Sequence, residues 1–264
     1  MIYDISKLLS EWPFQSGQVL ARVIEGQDGE PRIQVRLDLG LIQMLLDGRP
    51  DGQRPLDQAS LLDHVEQRLE EVRGGRQDKR EQPDQDAPSI EDAGEFSLSP
   101  EECRQLREEM AQYNQRSLAL LACEDFERAA RDAARNLRVI DFCREHAATE
   151  EDQTILEQYR PYVVMMKGRA LASMALADNE PKAALLVLDE GLDLLKHIYS
   201  EAGRPQAYEQ SPEAEMLRQI REQLVPKLPL SQKAELKKRL AEAVEAENYE
   251  LAAILRDELK QLKD

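Results

Sequence analysis

The chain has 264 residues and a formal net charge of −17, and 33% of its residues are charged. This length is enough for one large or two modest domains. The acidity disfavours nucleic-acid binding, because phosphate contacts rest on Lys and Arg. No apolar run reaches the roughly 18 residues of a membrane span, and the first residues lack the basic start of a signal peptide.

A small α+β head is predicted in residues 1–73. It begins with a short helix within residues 4–12, capped by Asp4. Apolar and polar residues then alternate around 19–23 and 33–37. Alternation at period two is typical of half-buried strands. With a third apolar run at 41–46, we expect a three-stranded antiparallel meander.

Turns and one helix complete the predicted head. Asp28-Gly29 is a hairpin signal between the first two strands, and residues 47–52 form a turn rather than a phosphate loop, because no Lys-Ser/Thr pair follows. A helix over residues 56–72 would cover the sheet, with an apolar face formed by Leu61, Leu62, Val65 and Leu69. A weaker hypothesis is an exposed binding patch made by Trp12, Arg49 and Asp51.

Residues 74–98 are polar and contain Pro, Gly and Gln, so they predict a flexible linker. A mainly helical body follows in residues 99–226. It opens with a capping box, Ser99-Pro-Glu-Glu102, which has Pro at the first helical position. Pro161 should kink or break the third helix. Helices are expected over about 100–122, 125–146, 151–177, 180–200 and 212–224.

The body resembles tetratricopeptide repeats in two places. Small residues recur where paired helices would touch, although the copies are about 55 residues apart rather than the 34 of the usual unit. The first copy contains Tyr113, Ser117, Leu120, Phe126, Ala129 and Ala133, and the second contains Gly168, Leu171, Ala172, Ala175, Pro181, Ala184 and Leu188. The resemblance implies paired helices and a helical-repeat groove that binds a partner.

Residues 227–264 predict two short amphipathic helices joined at Asn248, a residue that tolerates the left-handed conformation and can cap the next helix. Positive and negative residues balance in this segment, so the acidic excess lies in residues 1–226. The apolar stripes are formed by Leu236, Leu240, Ala243 and Val244 in the first helix and by Leu251, Leu255, Leu259 and Leu262 in the second.

The run ENYELAAILRD at residues 247–257 resembles the UVR motif. That helical hairpin occurs in the excision-repair proteins UvrB and UvrC and in the McsA activators of protein-arginine kinases. The resemblance implies a protein-interaction element that carries no chemistry. Its candidate binding residues are Leu240, Val244, Glu247, Tyr249, Leu251, Ala253, Arg256 and Asp257. The alternative interpretation is a plain helix pair that closes the fold.

The sequence offers little that is typical of an active site or metal site. The three histidines (His64, His146 and His197) lie on separate predicted helices without an HExxH frame, and the three cysteines (Cys103, Cys123 and Cys143) form no CxxC pair. Cys123 and Cys143 are interpreted as small core residues. Arg128, Asp132 and Arg135 have the spacing of surface ion pairs.

We therefore expect a cytoplasmic bacterial protein that is not an enzyme and needs no cofactor. Its expected role is that of an adaptor, which binds protein partners through the UVR hairpin and the helical-repeat groove. Self-association through the hairpin is a further expectation, whereas direct nucleic-acid or membrane binding is not expected. Two alternatives stay open: an accessory factor of nucleotide excision repair, and a regulator of a partner enzyme. The McsA activators usually carry zinc-binding cysteine pairs, which this chain lacks.

Overall fold

The computed structural model describes residues 4–81, 96–224, 232–245, 251 and 254–256. The chain divides into two compact units, Met1–Gln219 and Ile220–Asp264. Helices dominate the described residues, and one small antiparallel sheet lies near the N-terminus. The predicted fold class, mainly α with a three-stranded meander, is confirmed. Within the described residues, no helix is long and apolar enough to cross a membrane.

Three strands form the sheet, namely β1 (Leu20–Glu25), β2 (Pro31–Arg36) and β3 (Leu41–Leu45). Their order is β1-β2-β3, and both neighbouring pairs are antiparallel. Val23 in β1, Ile33 in β2 and Met44 in β3 are cross-strand partners. Ile33 and Met44 are buried, so this face of the sheet contributes to the core. The β1–β2 turn contains Gly29 with φ +79°, a conformation that glycine adopts without steric cost.

The first helix, α1, spans Ser6–Glu11. Its N-cap is Ile5, which makes no side-chain capping hydrogen bond. The predicted cap, Asp4, lies one residue earlier and accepts hydrogen bonds from the backbone N–H and the hydroxyl of Ser6. The capping prediction is therefore wrong in its position, although the Asp4 carboxylate does organise the start of the helix.

Helix α2 spans Leu61–Glu81 and begins later than predicted. A single 3-10 turn, Pro55–Asp57, precedes it, and Leu56 there has φ +51°, which is incompatible with a continuous helix. Leu61, Leu62 and Val65 are buried as predicted. However, α2 packs on helix α3 (Pro100–Ala122), and it is α3 that lies against β1 and β2. The main cover of the sheet is thus a helix of the body.

The body is built from helices in antiparallel pairs. The predicted capping box at Ser99 is present, with Ser99 and Glu102 bonding to each other's backbone N–H. The predicted break at Pro161 is also present, because the third predicted helix is divided into a short helix at Glu150–Thr154, a 3-10 turn at Glu157–Tyr159 and a longer helix that begins at Arg160. The remaining bounds are α4, Phe126–His146; α5, Glu150–Thr154; α6, Arg160–Ala177; α7, Pro181–Glu201; α8, Pro205–Glu209; and α9, Pro212–Leu224.

The α3–α4 and α6–α7 pairs turn in the same way. Glu124 and Asn179 both adopt the left-handed conformation, with φ +60° and +61°. The next residue then donates its N–H back to the helix, from Asp125 to the Leu120 carbonyl (2.9 Å) and from Glu180 to that of Ala175 (2.7 Å). Such a pattern satisfies the last carbonyls of a helix. The same spacing relates the buried pairs Ala129 and Ala184, and Ala133 and Leu188, so the two helix pairs share this turn and its spacing to the buried residues that follow.

Leu217 of α9 fastens that helix to the second pair. It is fully buried and lies against Gly168 of α6 and Gly191 of α7. A Cβ atom on Gly191 would lie 3.0 Å from the Leu217 Cδ1 atom, and a Cβ atom on Gly168 would lie 3.6 Å from the Leu217 Cδ2 atom. The two glycines therefore leave room for one leucine side chain between three helices, as close packing of protein interiors requires.

Candidate protein-docking site

The C-terminal unit contains helix α10, Gln232–Glu245, followed by helical residues at Leu251 and at residues 254–256. Ala243 and Leu255 are buried, which is the behaviour expected of the apolar stripe in each predicted helix. Val244, Leu251 and Ile254 are 51%, 37% and 58% exposed. We call these three exposed residues the UVR apolar patch, after the motif that this segment resembles.

The sequence-based binding residues fall into two groups. Leu240 is half-buried, Val244 and Leu251 belong to the UVR apolar patch, and Arg256 is exposed. Glu247, Tyr249, Ala253 and Asp257 lie outside the described residues, as does the predicted break at Asn248. Sequence reasoning missed Ile254, which is the most exposed of the large apolar residues described in this unit. Its position three residues after Leu251 is the signal that could have found it.

The UVR apolar patch is too small to bind a partner tightly by itself. Full burial of a Val, Leu or Ile side chain contributes about 1.5–3 kcal/mol. Since these three side chains are already about half covered, complete burial would add roughly 3 kcal/mol in all. A micromolar complex needs about 8 kcal/mol. A stable complex therefore requires further contacts, either from polar groups of the hairpin or from a second surface.

A groove lies between α3 and the start of α6. It encloses a cavity of about 420 Å³, within the range of small-molecule and side-chain pockets. Its floor is apolar, because Met110, Leu156 and Val163 are buried there. Tyr159 stands at the rim and is half exposed. The remaining lining residues are Arg107, Ala111, Asn114 and Tyr162.

Arg107 supplies a cation at the edge of the groove. Its guanidinium donates to the Asp152 carboxylate at 2.6 Å. This hydrogen bond lowers the pKa of Asp152, so both groups are charged at neutral pH. The Thr149 hydroxyl donates to the same carboxylate at 2.9 Å. Arg107 is thus held in one orientation, which reduces the conformational entropy that a partner must remove on binding.

The opposite side of α3 carries a buried charged network that joins the head to the body. Arg116 donates to both oxygens of Asp132 on α4, at 2.7 and 2.9 Å, and both side chains are almost completely buried. Arg116 also donates to the backbone carbonyls of Leu45 and Gly48, at 2.9 and 2.8 Å. The prediction that Asp132 forms surface pairs is wrong, because a long-range partner on α3 draws it into the core.

Glu109 is the second centre of this network and has no exposed surface. Its carboxylate accepts the N–H of Leu61 at 2.9 Å, at the N-terminus of α2, where the helix dipole favours an anion. Arg135 of α4 forms an ion pair with it, and Arg49 forms a second one at 3.6 Å. Burial lowers the pKa of the Arg135 guanidinium, and the ring of Tyr113 lies 3.7 Å from it, a cation–π distance. Arg135 is therefore also a buried residue and not a surface one.

Asp47 adds an exposed contact beside this network. Its carboxylate accepts from Arg128 at 3.1 Å and from Arg131 at 2.6 Å. These two hydrogen bonds lower the pKa of Asp47 to about 2. The turn at residues 47–52 thus holds the head on the body, in keeping with its interpretation as a turn and not a phosphate loop.

The hypothesis of a patch formed by Trp12, Arg49 and Asp51 is wrong in this form. Arg49 and Asp51 are neighbours at 3.1 Å and lie beside α3, where Gln112 donates to Asp51 at 3.1 Å. The ring of Trp12 instead lies 4.1 Å from the Arg22 guanidinium. Trp12 therefore belongs to the packing of the head and not to a patch with Arg49.

The histidines and cysteines show no arrangement typical of a metal site among the described residues. Among the described residues, no group of three or more His, Cys, Asp or Glu side chains is placed to hold a metal ion. Cys103 and Cys143 are buried, and Cys123 is half-buried. The Cys103 and Cys143 thiols share a hydrogen bond between α3 and α4, which lowers the pKa of Cys103 and raises that of Cys143. Burial lowers the pKa of His146, which packs edge-on against Phe142.

Comparison with known protein families gives a match in the C-terminal segment. The model of the UvrB/uvrC motif, UVR, matches residues 231–264. The chain contains a UVR motif. This match includes the UVR apolar patch, and it covers only a small part of the chain. No curated protein and no solved structure matches the chain.

Proposed function

We propose that this UVR-containing protein is a non-enzymatic adaptor that binds protein partners. The UVR apolar patch provides one docking surface, and the groove between α3 and α6 provides another. The observation that carries the proposal is the exposure of Val244, Leu251 and Ile254 beside the buried Ala243 and Leu255. Several exposed apolar side chains on a small helical element are a common feature of protein-binding surfaces.

The tetratricopeptide-like interpretation of the body supports the second surface. The groove lies between α3 and the start of α6. The groove holds an apolar floor, a half-exposed tyrosine and a fixed arginine. Apolar anchors surrounded by a few oriented polar groups are the arrangement that specific recognition requires. Under this proposal the chain is a cytoplasmic bacterial protein whose partners are proteins.

A pull-down from native lysate tests the hairpin. The intact protein is compared with a variant that carries Val244→Glu, Leu251→Glu and Ile254→Glu. We expect the variant to lose at least one partner that the intact protein captures, because a buried carboxylate opposes docking. Leu39→Glu is a matched control, since Leu39 is 88% exposed on the head. If the variant and the intact protein capture the same partners, the hairpin is not a docking surface.

The UVR match also favours a second candidate function, that of an accessory factor in nucleotide excision repair or a regulator of a partner enzyme. Under this alternative the partner would be a repair protein or an enzyme, and contact with DNA would be indirect because the chain carries a charge of −17. Mass spectrometry of the captured partners separates the candidates. Direct DNA binding at low salt would contradict the expectation that nucleic acid is not a ligand.

A third hypothesis is that two copies of the chain associate through the hairpin, by the same exposed apolar residues. It predicts a mass above that of the monomer in light scattering at high protein concentration. The triple Glu variant should then return to the monomer mass. A mass that is the same for both proteins argues against self-association.

A further inference from the structure

Two hydrogen bonds between helices fix the register of the α3–α4 pair. The Ser117 hydroxyl of α3 donates to the Ala129 carbonyl of α4 at 3.0 Å. The Asn136 amide of α4 donates to the Met110 carbonyl of α3 at 3.1 Å. The second contact lies seven residues before the first on α3 and seven residues after it on α4. Positions seven apart fall on one face of a helix, so the helices run antiparallel with these two faces together.

One further step of seven residues along this register leads to Cys103 on α3 and Cys143 on α4. Both side chains are buried, with 0% and 1% exposure. The register therefore places the two thiols opposite each other. The Cys143 thiol donates a hydrogen bond to the Cys103 sulfur, and this contact lowers the pKa of Cys103 and raises the pKa of Cys143. Both cysteines are free, so the structure shows the reduced pair.

Two facing thiols allow a reaction that an isolated cysteine does not. A disulfide requires Cβ atoms about 3.8 Å apart, and opposite residues on closely packed helices meet this requirement. The helices are close here, because the short side chain of Ser117 reaches a backbone carbonyl of α4. Cys123 provides the contrast, since it is half-buried at the other end of α3 and no other cysteine lies opposite it in this register.

The thiol pair lies near one end of the two helices. Cys103 is one turn beyond the capping residue Ser99, and Cys143 is about one turn before His146, the last residue of α4. Leu98 closes this end, because it is fully buried and its N–H donates to the His146 carbonyl at 2.7 Å. Helix ends and short bridges open locally at a lower free energy than helix interiors, which gives a small molecule a route to the thiols.

We propose that Cys103 and Cys143 form a reversible redox site, which a small hydroperoxide such as hydrogen peroxide converts from a dithiol to a disulfide between α3 and α4. In the first step the Cys103 sulfur attacks one peroxide oxygen, and the O–O bond breaks. The hydroxide that leaves takes up the Cys103 thiol proton and becomes water, so the product is a Cys103 sulfenic acid. Cys103 is the attacking residue because the thiolate is the nucleophile, and its thiol is the more acidic of the two.

In the second step the Cys143 sulfur attacks the Cys103 sulfur. An S–S bond forms and the S–O bond breaks, and the departing hydroxide takes up the Cys143 proton as a second water. The two sulfurs together lose two electrons, which reduce one hydrogen peroxide to two waters. A dithiol reductant reverses the reaction by thiol–disulfide exchange. Disulfides of this transient kind are the ones typical of redox sensing in a reducing compartment, and this site uses none of the residues of the two docking surfaces.

Mapping the cross-link in the full-length protein tests the proposal. The protein is treated with hydrogen peroxide, the peroxide is removed with catalase, and the remaining thiols are blocked with N-ethylmaleimide in denaturant. Digestion without reduction, followed by mass spectrometry, should give a peptide that joins Cys103 to Cys143 and is lighter by two hydrogens than the two reduced peptides together. Dithiothreitol should abolish this peptide.

Thermal unfolding gives a second readout. The disulfide closes a loop of roughly 40 residues in the unfolded chain, so the Tm of the oxidised protein should rise by about 5–10 °C and return on reduction. Cys123→Ala is the matched control, and it should keep both the cross-link and the rise in Tm. In Cys143→Ala, shown to be folded by circular dichroism, the rise should be absent, and dimedone should trap the sulfenic acid at Cys103.

Three results overturn the proposal, and none of them depends on a variant. If peroxide oxidises Cys123 while Cys103 and Cys143 are both still blocked by N-ethylmaleimide, the pair is only part of the core. A cross-link that contains Cys123, or that joins two copies of the chain, places the reaction elsewhere. A link between Cys103 and Cys143 that forms only in urea belongs to the unfolded chain and not to the folded site.

Discussion

The buried pair of Arg116 and Asp132 gives the sharpest test of how the head is held on the body. In the variant Asp132→Asn, the volume is almost unchanged, but the guanidinium of Arg116 stays in the core without its carboxylate. Both side chains are only 1% exposed in the intact protein. Removing one partner of a buried ion pair costs about 3–5 kcal/mol, and we expect a loss of this size in the free energy of unfolding.

A double-mutant cycle built from Arg116→Met, Asp132→Leu and the variant that carries both then isolates the interaction. Arg116→Met/Asp132→Leu removes both charges, and apolar replacements of a buried pair are often close to neutral. Here, however, the carbonyls of Leu45 and Gly48 also lose a donor, and each unsatisfied carbonyl costs about 1 kcal/mol or more. We therefore expect the double variant to lose about 1–3 kcal/mol, well below the sum of the two single variants.

The assay is urea denaturation followed by circular dichroism, with an exposed pair as the control. Arg104 and Glu101 are both about half exposed, so Arg104→Met should cost no more than about 0.5 kcal/mol. Hydrogen exchange adds a local readout, because loss of Arg116 should speed exchange in the head before it does so in α4. Additive costs in the cycle, or a cost of Asp132→Asn as small as that of Arg104→Met, would refute a buried pair that holds the head.

Three further predictions concern packing, pH and capping. Gly191→Ala places a Cβ atom 3.0 Å from Leu217 and should lower the free energy of unfolding by about 1–3 kcal/mol. Leu217→Ala leaves a cavity and should lower it by about 2–5 kcal/mol. If either variant is as stable in urea as the intact protein, this packing is contradicted. The lowered pKa of Asp47, about 2 against an ordinary 3.8, means that its ion pairs stabilise the fold above about pH 4 and that this contribution is lost as the pH falls towards 2. Because Asp47 is 58% exposed, the free energy of unfolding of the intact protein should exceed that of Asp47→Asn by only about 1 kcal/mol at neutral pH. This difference should disappear as the pH falls to about 2 and below. A difference in the free energy of unfolding that persists in acid would contradict the assignment. Ser99→Ala removes the capping box of α3 and should cost about 1 kcal/mol, measured as a shift of the urea midpoint, while Ser99→Asp should restore most of it.

Local patterns account for the parts of the fold that the sequence predicts well. The three strands follow from alternation and turn residues, and the break at Pro161 follows from the missing N–H of proline. The capping box at Ser99 needs only four consecutive residues. Each of these features depends on neighbours in the chain, so no knowledge of the tertiary fold is required to find it.

The charged network depends on long-range contacts, and the sequence interpretation missed it for that reason. Glu109 and Arg116 are seven residues apart and fall on the same helical stripe as the buried Leu106 and Tyr113. Charged residues within an otherwise apolar stripe signal buried partners, and that signal was available. Their partners on α4 and in the head, however, are 16 or more residues away, and periodicity cannot identify them.

A buried ion pair such as that of Arg116 and Asp132 tolerates little displacement, because any shift leaves a charge without its partner. It therefore suits a permanent contact with a single geometry, which the head provides.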